Sequence, residues 1–559
     1  MRREVSVVNK KVCSFPILFA LLALLIGTCA VVFPASAQAA PTSTGSITVS
    51  GTVARSYDAY QIFSANVVDG DSDAKIATDL AWASDAVRDA ALPVLHSAGM
   101  PNSQTTAQEA AEWLNSDSHL TSALSAQLAR SLQSSGAELV ALNAGTEAEL
   151  PCGYWLIVAD DDAIAQGEAG TAPIMALVGG SAVTVKPKAA TPKVAKHVLE
   201  DSTDAWQKAA DATVADDLYW RLSATVPAGL TAYDTYTVRF VDTMSAGLDS
   251  SKVAASMRVY VAAGADGGFD AVSVGKDGRV GTEPAKGWTD ITAQCATKVA
   301  ADGRTFTVRT GDLIAALGGA DAFTAGARVV AVYNAPLNGA CNHGIAKGNP
   351  NEVYLRYPRS PFADQSGDAG FTRTPSDDAC AYTWDLALTK RGSDGDKPLA
   401  GAVLSIADDR GRILTADGAW STNADACVTT GDDGHVELSG IDAGVYTVEE
   451  VTAPKGYTAF EGKRTVTVTA EGLDVKQVAA AKPKVTVSAE SPLRVDAADA
   501  GTGSIELSVL NTPSKEASRG FMPSTGDRTL VLVAVLAAIG VAVIVVALVI
   551  KRGGGRREK

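Results

Sequence analysis

Lys390, Glu450 and Asn511 each stand at the end of an apolar row with a period of two. Leu386, Leu388 and Lys390 share one face of an extended segment, because successive side chains of a strand point to opposite sides. Tyr446, Val448 and Glu450 share a face of a later segment, and Leu507, Val509 and Asn511 of the last one. An unpartnered charge in a core is costly, so the three polar ends should meet. One outcome is a buried Lys–Glu ion pair with an Asn alongside. The other is chemistry. Burial lowers the pKa of an amine and raises that of a carboxyl, giving a neutral nucleophile and a neutral acid. Lys390 would then attack the Asn511 carboxamide, while Glu450 polarises its carbonyl and carries protons as ammonia leaves. Such a reaction runs once within each molecule, so the chain is not read as an enzyme.

Little else in the sequence carries chemistry. His96, His119, His197, His343 and His435 are scattered without metal-ligand spacing, and no phosphate loop or hydrolase elbow occurs. No metal and no cofactor is expected. Of the 7 cysteines, Cys13 and Cys29 fall within residues 1–39, which read as a removable signal. Disulfides Cys380–Cys427 and Cys295–Cys341 are expected as staples of an exported protein, leaving Cys152 as a buried thiol.

The elements that must position these residues follow from length and composition. A chain of 559 residues implies three or so domains at ~150 residues each. A hydrophobic fraction of 46% with 20% charged residues fits a folded chain, and 51 Gly with abundant Thr and Val favours strands. The net charge of −15 argues against nucleic acid as a partner, which calls for a basic face. Arg2, Arg3, Lys10 and Lys11, an apolar stretch and the run Ala35–Ala39 read as a secretory signal, residues 1–39. At the other end Leu530 to Ile550 is long enough to span a bilayer, and the Lys551, Arg552, Arg556 and Arg557 that follow place that end in the cytoplasm.

Between these ends the expected plan is an N-terminal domain 40–188, a middle domain 189–378, a third domain 379–513 and a C-terminal signal 514–559. The first domain should carry strands at Ile47–Ser50, Tyr57–Phe63, Tyr154–Val158 and Ala182–Val185. A helical insert is expected between them, with a Thr106/Glu109 capping box and a stripe of Leu120, Leu124, Leu128 and Leu132.

Met522-Pro523-Ser524-Thr525-Gly526, the apolar span and the basic tail together resemble the LPXTG sorting signal of Gram-positive surface proteins. The resemblance implies that a sortase thiol attacks the Thr525 carbonyl and releases Gly526 onward. Tyr446 to Tyr457 is similar to the E-box of CnaB-type domains, which selects Glu450 rather than Glu449. Pro192–Val198 and Phe240–Leu248 resemble the opening strand and acid-bearing segment of the middle domain of backbone pilins, nominating Lys196 as nucleophile and Asp242 as acid. Its closing strand resembles Gly348–Tyr357, but Arg359 occupies the place of the cross-linking Asn and cannot supply an amide. Asn351 lies on the same face about eight residues back, roughly 26 Å along a strand. A Lys196/Asp242/Arg359 charge cluster is therefore expected as readily as a second amide. Val183–Lys188 resembles the pilin motif, implying Lys188 as the inter-subunit nucleophile, with Lys186 and Lys193 as neighbouring alternatives.

Taken together these marks resemble sortase-dependent backbone pilins. The fold they imply is mainly β: tandem immunoglobulin-like sandwiches of CnaA and CnaB type. The implied function is a fimbrial shaft subunit that supports adhesion, with a monomeric wall-anchored adhesin or ancillary pilin as the alternative. Implied partners are pilin-type and housekeeping sortases, identical subunits, peptidoglycan and a host matrix ligand. The implied location is the bacterial surface, by covalent wall attachment of a membrane-held precursor. Loss of residues 1–39 and of everything after Thr525 would remove ten basic and three acidic groups. That leaves 38 against 60, a net of −22.

Overall fold

The computed structural model describes residues 43–514, apart from 52–54, 71–73, 117–118, 161, 163, 166, 188–190 and 229–231. Lys188, Thr525, Gly526, the N-terminal signal and the apolar run 530–550 lie outside the described residues. Among the described residues no helix is long and apolar enough to cross a membrane. The chain divides into two compact units. One comprises Met1–Thr191, Pro227–Tyr236 and Tyr357–Arg373; the other comprises Pro192–Val226, Thr237–Arg356 and Thr374–Lys559.

In the first unit a three-stranded sheet is centred on Thr44–Val49, which pairs antiparallel with Glu147–Pro151 and parallel with Val183–Val185. A second sheet runs in the order Lys75–Trp82, Ser56–Asp69, Gly153–Ala159, Ile174–Val178, with Val140–Asn143 on Ser56–Asp69. The helices Asp85–Ser97, Ala107–Asn115 and Ser122–Ser135 pack beside it. Thr106 caps the second, its hydroxyl accepting from Glu109 N at 3.2 Å while the Glu109 carboxylate accepts from Thr106 N at 3.0 Å. Leu124, Leu128 and Leu132 are buried against Phe63 and Leu156. Leu120 departs from the expected stripe: it precedes the N-cap Thr121 and is 40% exposed. Arg130 ties in the two distal segments, pairing with Asp234 at 2.5 Å and donating to the Pro361 carbonyl at 3.1 Å.

The second unit holds two sandwiches. The first sets a sheet of Ala205–Gln207, Lys193–Glu200, Tyr219–Val226, Ala327–Asn334, Arg258–Ala263 and Thr289–Asp290 beside another. That other sheet contains Ala209–Asp211, Asp377–Tyr382, Asn349–Pro358, Arg239–Met244, Thr305–Arg309 and Ala296–Val299. Asp377–Tyr382 crosses the expected boundary at 378/379 and pairs with Asn349–Pro358. The second sandwich has one sheet ordered His435–Ile441, Trp384–Gly392, Ser504–Pro513, Tyr457–Thr458. Its facing sheet includes Val403–Ala407, Gly444–Thr452, Arg464–Glu471 and Lys484–Ala489. The chain is thus mainly β, as expected. The two sandwiches meet through Trp384, whose indole donates to Asp211 at 2.7 Å, and through Arg412, bidentate on Asp216 at 2.6 and 2.7 Å.

The expected disulfides are absent: Cys152, Cys295, Cys341, Cys380 and Cys427 are all free thiols. Cys380 lies in a strand of the first of these sandwiches, buried against Gly348 and Tyr382, and Cys427 belongs to the second. Cys295 donates to the Ile291 carbonyl at 3.3 Å, and Cys341 turns toward His343. Cys152 is buried among Ala65, Val67 and Leu177.

Candidate functional site

Trp384–Gly392 and Ser504–Pro513 open and close the last sandwich, and they lie side by side in parallel register, Lys390 opposite Val509 and Gly392 opposite Asn511. Alternate residues of Trp384–Gly392 face inward, which turns Lys390 into the core beneath Leu388. Gly444–Thr452 in the facing sheet turns Tyr446, Val448 and Glu450 the same way. Lys390 and Asn511 are 0% and 1% exposed, and Glu450 is 6% exposed. The Lys390 amine donates to Asn511 Oδ1 at 2.6 Å and lies 3.0 Å from Glu450 Oε1. Asn511 Nδ2 donates to the same Glu450 oxygen at 2.7 Å. The other carboxylate oxygen accepts from Phe460 N at 3.0 Å, and the Phe460 ring centroid lies 5.0 Å from the amine. A turn closed by Tyr457 N on the Pro454 carbonyl leads into Tyr457–Thr458, which pairs with the last strand. Burial pushes the Lys390 pKa down, against the pull of Glu450. The amine therefore rests against the carboxamide it would attack, and the carboxyl rests against the nitrogen that would leave.

The first sandwich of this unit buries a related set. Lys196, Asp242, Tyr333 and Asn351 are all fully buried. The Lys196 amine donates to Asp242 Oδ2, and to the Tyr333 hydroxyl at 2.9 Å. That hydroxyl donates to Asp242 at 3.0 Å and accepts from Asn351 Nδ2 at 2.8 Å. Desolvation lowers the Lys196 pKa to about 8, with Asp242 opposing it, and burial raises the Asp242 pKa against the pull of Lys196. Asp242 lies opposite Val353 and Met244 opposite Asn351, so acid and amide are diagonal neighbours on adjacent strands.

The expected charge cluster with Arg359 does not form. Arg359 belongs to the other unit, where its guanidinium faces Asp162 at 3.9 Å and its carbonyl accepts from Gly170 N. The amide nearest the pair is that of Asn351, which reaches Lys196 and Asp242 through the Tyr333 hydroxyl. The level of the acid is set by strand register and not by Arg359, because Asp242 lies opposite Val353, two residues from Asn351. Tyr333 was missed as well. Its signal was an inward hydroxyl in the otherwise apolar run Val329–Tyr333.

Fold and site together define a β-sandwich protein in which a buried lysine pairs with a buried carboxyl in each of two successive sandwiches, beside a carboxamide touched directly in the last and through Tyr333 in the one before. Residues 385–482 match the family model described as the SpaA prealbumin-like fold domain. The chain is 28% identical over 134 residues, 22% of its length, to the trypsin-resistant surface T6 protein of Streptococcus pyogenes serotype M6, and spans 23% of that relative. Among solved structures it is similar to the T6 backbone pilin of the same organism, at 16% identity and a TM-score of 0.45, covering 84% of this chain and 98% of that one. It is also similar to the full-length major pilin SpaD of Corynebacterium diphtheriae, at 15% identity and a TM-score of 0.41, with 84% and 98% covered.

Proposed function

We propose that the chain is the structural shaft subunit of a covalent cell-surface fibre, and that its two C-terminal sandwiches are each closed by an internal amide. The observation that carries the reading is the 2.6 Å contact between Lys390 and Asn511 on parallel first and last strands, with Glu450 touching both. In the last sandwich neutral Lys390 adds through Nζ to the Asn511 carboxamide carbon. The amine proton passes to Glu450, Glu450 returns a proton to the departing nitrogen, and ammonia leaves as the amide forms. In the preceding sandwich Lys196 and Asn351 condense in the same way, with Asp242 as the acid and Tyr333 linking the reacting groups. A tie between first and last strands stops a sandwich from unzipping under tension, which is what a load-bearing subunit requires.

The remaining roles rest on the sequence marks and on the surface protein that shares 28% identity. Pilin-type sortase cleaves after Thr525, Lys188 of the next subunit takes the acyl group, and a housekeeping sortase transfers the finished fibre to peptidoglycan. Export removes residues 1–39.

Intact-mass measurement of the chain from residue 374 to 514 tests the central claim, the expected mass being short by one ammonia. A full mass that Glu450→Ala leaves unchanged would sink it. Denaturing gels of cells with their sortases intact test polymerisation. A ladder is expected, and one that survives Lys188→Ala would remove that lysine from the assignment.

A further inference from the structure

Between Ala327–Asn334 and Asn349–Pro358 the chain makes a loop held at many points. Cys341 N donates to the Asn338 carbonyl at 3.0 Å, and Asn342 N donates to Asn349 Oδ1 at 2.8 Å. Asn349, fully buried, returns its own amide to the Asn342 carbonyl at 2.8 Å. Gly344 N and Ile345 N reach the last sandwich, at Thr383 O and Ala500 O. On this rigid loop Cys341 Sγ lies 3.5 Å from His343 Nε2, and His343 Nδ1 lies 2.6 Å from Asp385 Oδ2. Asp385 Oδ1 is fixed in turn by Ser439 Oγ at 2.8 Å and Gly440 N at 2.9 Å.

This is a nucleophile, a base and an acid that orients the base, in hydrogen-bonded order. With Nδ1–H committed to Asp385, the Nε2 lone pair faces the thiol. Cys341 and Cys427 are both partly exposed, whereas Cys152 and Cys380 are buried and the Cys295 thiol is committed to a carbonyl. Among the described residues, Cys341 is the thiol with an imidazole nitrogen at this distance. Acyl transfer does not suit the site, because the N–H groups of Cys341 and Asn342 are both spent inside the loop and offer no oxyanion pair. Thiol–disulfide exchange needs no such donors, only a thiolate and an approach to it.

We propose that Cys341 is a base-activated thiol that exchanges with low-molecular-weight disulfides, so that the subunit becomes S-thiolated beside the junction of its two C-terminal sandwiches. The Cys341 proton moves to His343 Nε2. The thiolate attacks one sulfur of the external disulfide, whose S–S bond breaks as the Cys341–S–S–R bond forms. The departing thiolate takes the proton back from the imidazolium. The Cys341 sulfur rises by one oxidation level and the released sulfur falls by one, the external disulfide being the oxidant. Burial and the negative Asp385 hold the thiol above its ordinary pKa, so near neutrality it depends on His343. Asp385 acts through His343 as a positioning residue.

The test treats the full chain with hydroxyethyl disulfide and follows each cysteine by peptide mass. At pH 7 Cys341 is expected to react at least about tenfold faster than Cys295, and His343→Gln to slow it at least about tenfold. Asp385→Asn should slow it less and shift the pH–rate profile. At alkaline pH, where hydroxide rather than His343 takes the thiol proton, wild type and His343→Gln should converge. Equal rates for Cys341 and Cys295 in the wild type, or an unchanged rate in His343→Gln at pH 7, would overturn the proposal. A misfolded variant would expose Cys152 and Cys380, and the wild-type comparison with Cys295 then decides alone.

Discussion

Two lysines in this molecule have lost the solvent that normally keeps them charged, but their partners differ. Lys390 donates to the carboxamide oxygen itself, whereas Lys196 reaches its amide through the Tyr333 hydroxyl. Tyr333→Phe should therefore slow the second condensation and leave the first intact, giving a chain short of one ammonia rather than two by intact mass. A pH prediction follows for a chain held uncondensed by Asn351→Ala. The Lys196 pKa, about 8 in the fold, lies below its ordinary 10.5, so between those values the unfolded chain binds more protons. Stability from this group should thus rise from about pH 8 toward 10.5, by on the order of 3 kcal/mol over the full span. Urea unfolding of Asn351→Ala against Lys196→Met/Asn351→Ala, at pH 7.5 and 9.5, isolates that rise. A flat difference would contradict it. Asn351 itself was legible as an inward polar residue in a strand. Its partners were not, because register between strands far apart in sequence is a property of the folded sheet.

Elements were most legible where period alone fixes a face. The row Leu386, Leu388, Lys390 needed only alternation, and the strand Trp384–Gly392 has it throughout. Boundaries were less legible. Leu120 continues a leucine spacing but stands before the cap, since Thr121 accepts from Leu124 N and starts the helix there. The cysteine pairings failed for a similar reason: proximity in sequence and a shared expected domain say nothing of which sheet holds each thiol. One element-scale contact is sharply constrained. Gly434, at φ +72, lies where an added Cβ would come within 2.6 Å of the Lys390 carbonyl and 2.8 Å of Leu399 N. Its own N–H closes a turn on Gly431, and Lys390 N donates to its carbonyl at 2.7 Å. Gly434→Ala is expected to cost about 1–3 kcal/mol in chemical denaturation and to lower the condensed fraction, because it displaces the strand segment that carries the nucleophile.

For the whole molecule the consequence of condensation is a smaller unfolded ensemble. Lys390 and Asn511 lie 121 residues apart in sequence, so an amide between them closes a loop of that length in the denatured chain. Loop-closure entropy at such lengths is worth about 5 kcal/mol by the same chain-entropy reasoning that applies to a disulfide. The described residues hold no disulfide, so the proposed amides would be the covalent reinforcement of these two sandwiches. At roughly 2–4 °C per kcal/mol for a domain of this size class, each amide should raise the midpoint of thermal unfolding by about 10–20 °C. Lys390→Met keeps the volume and removes the amine, so calorimetry of that variant reads the loss for the last sandwich. Lys196→Met reads it for the preceding one. Since the two ties sit in different sandwiches, separate transitions should move one at a time. Movement of both by either variant would show instead that the junction at Trp384 and Arg412 makes the pair unfold together.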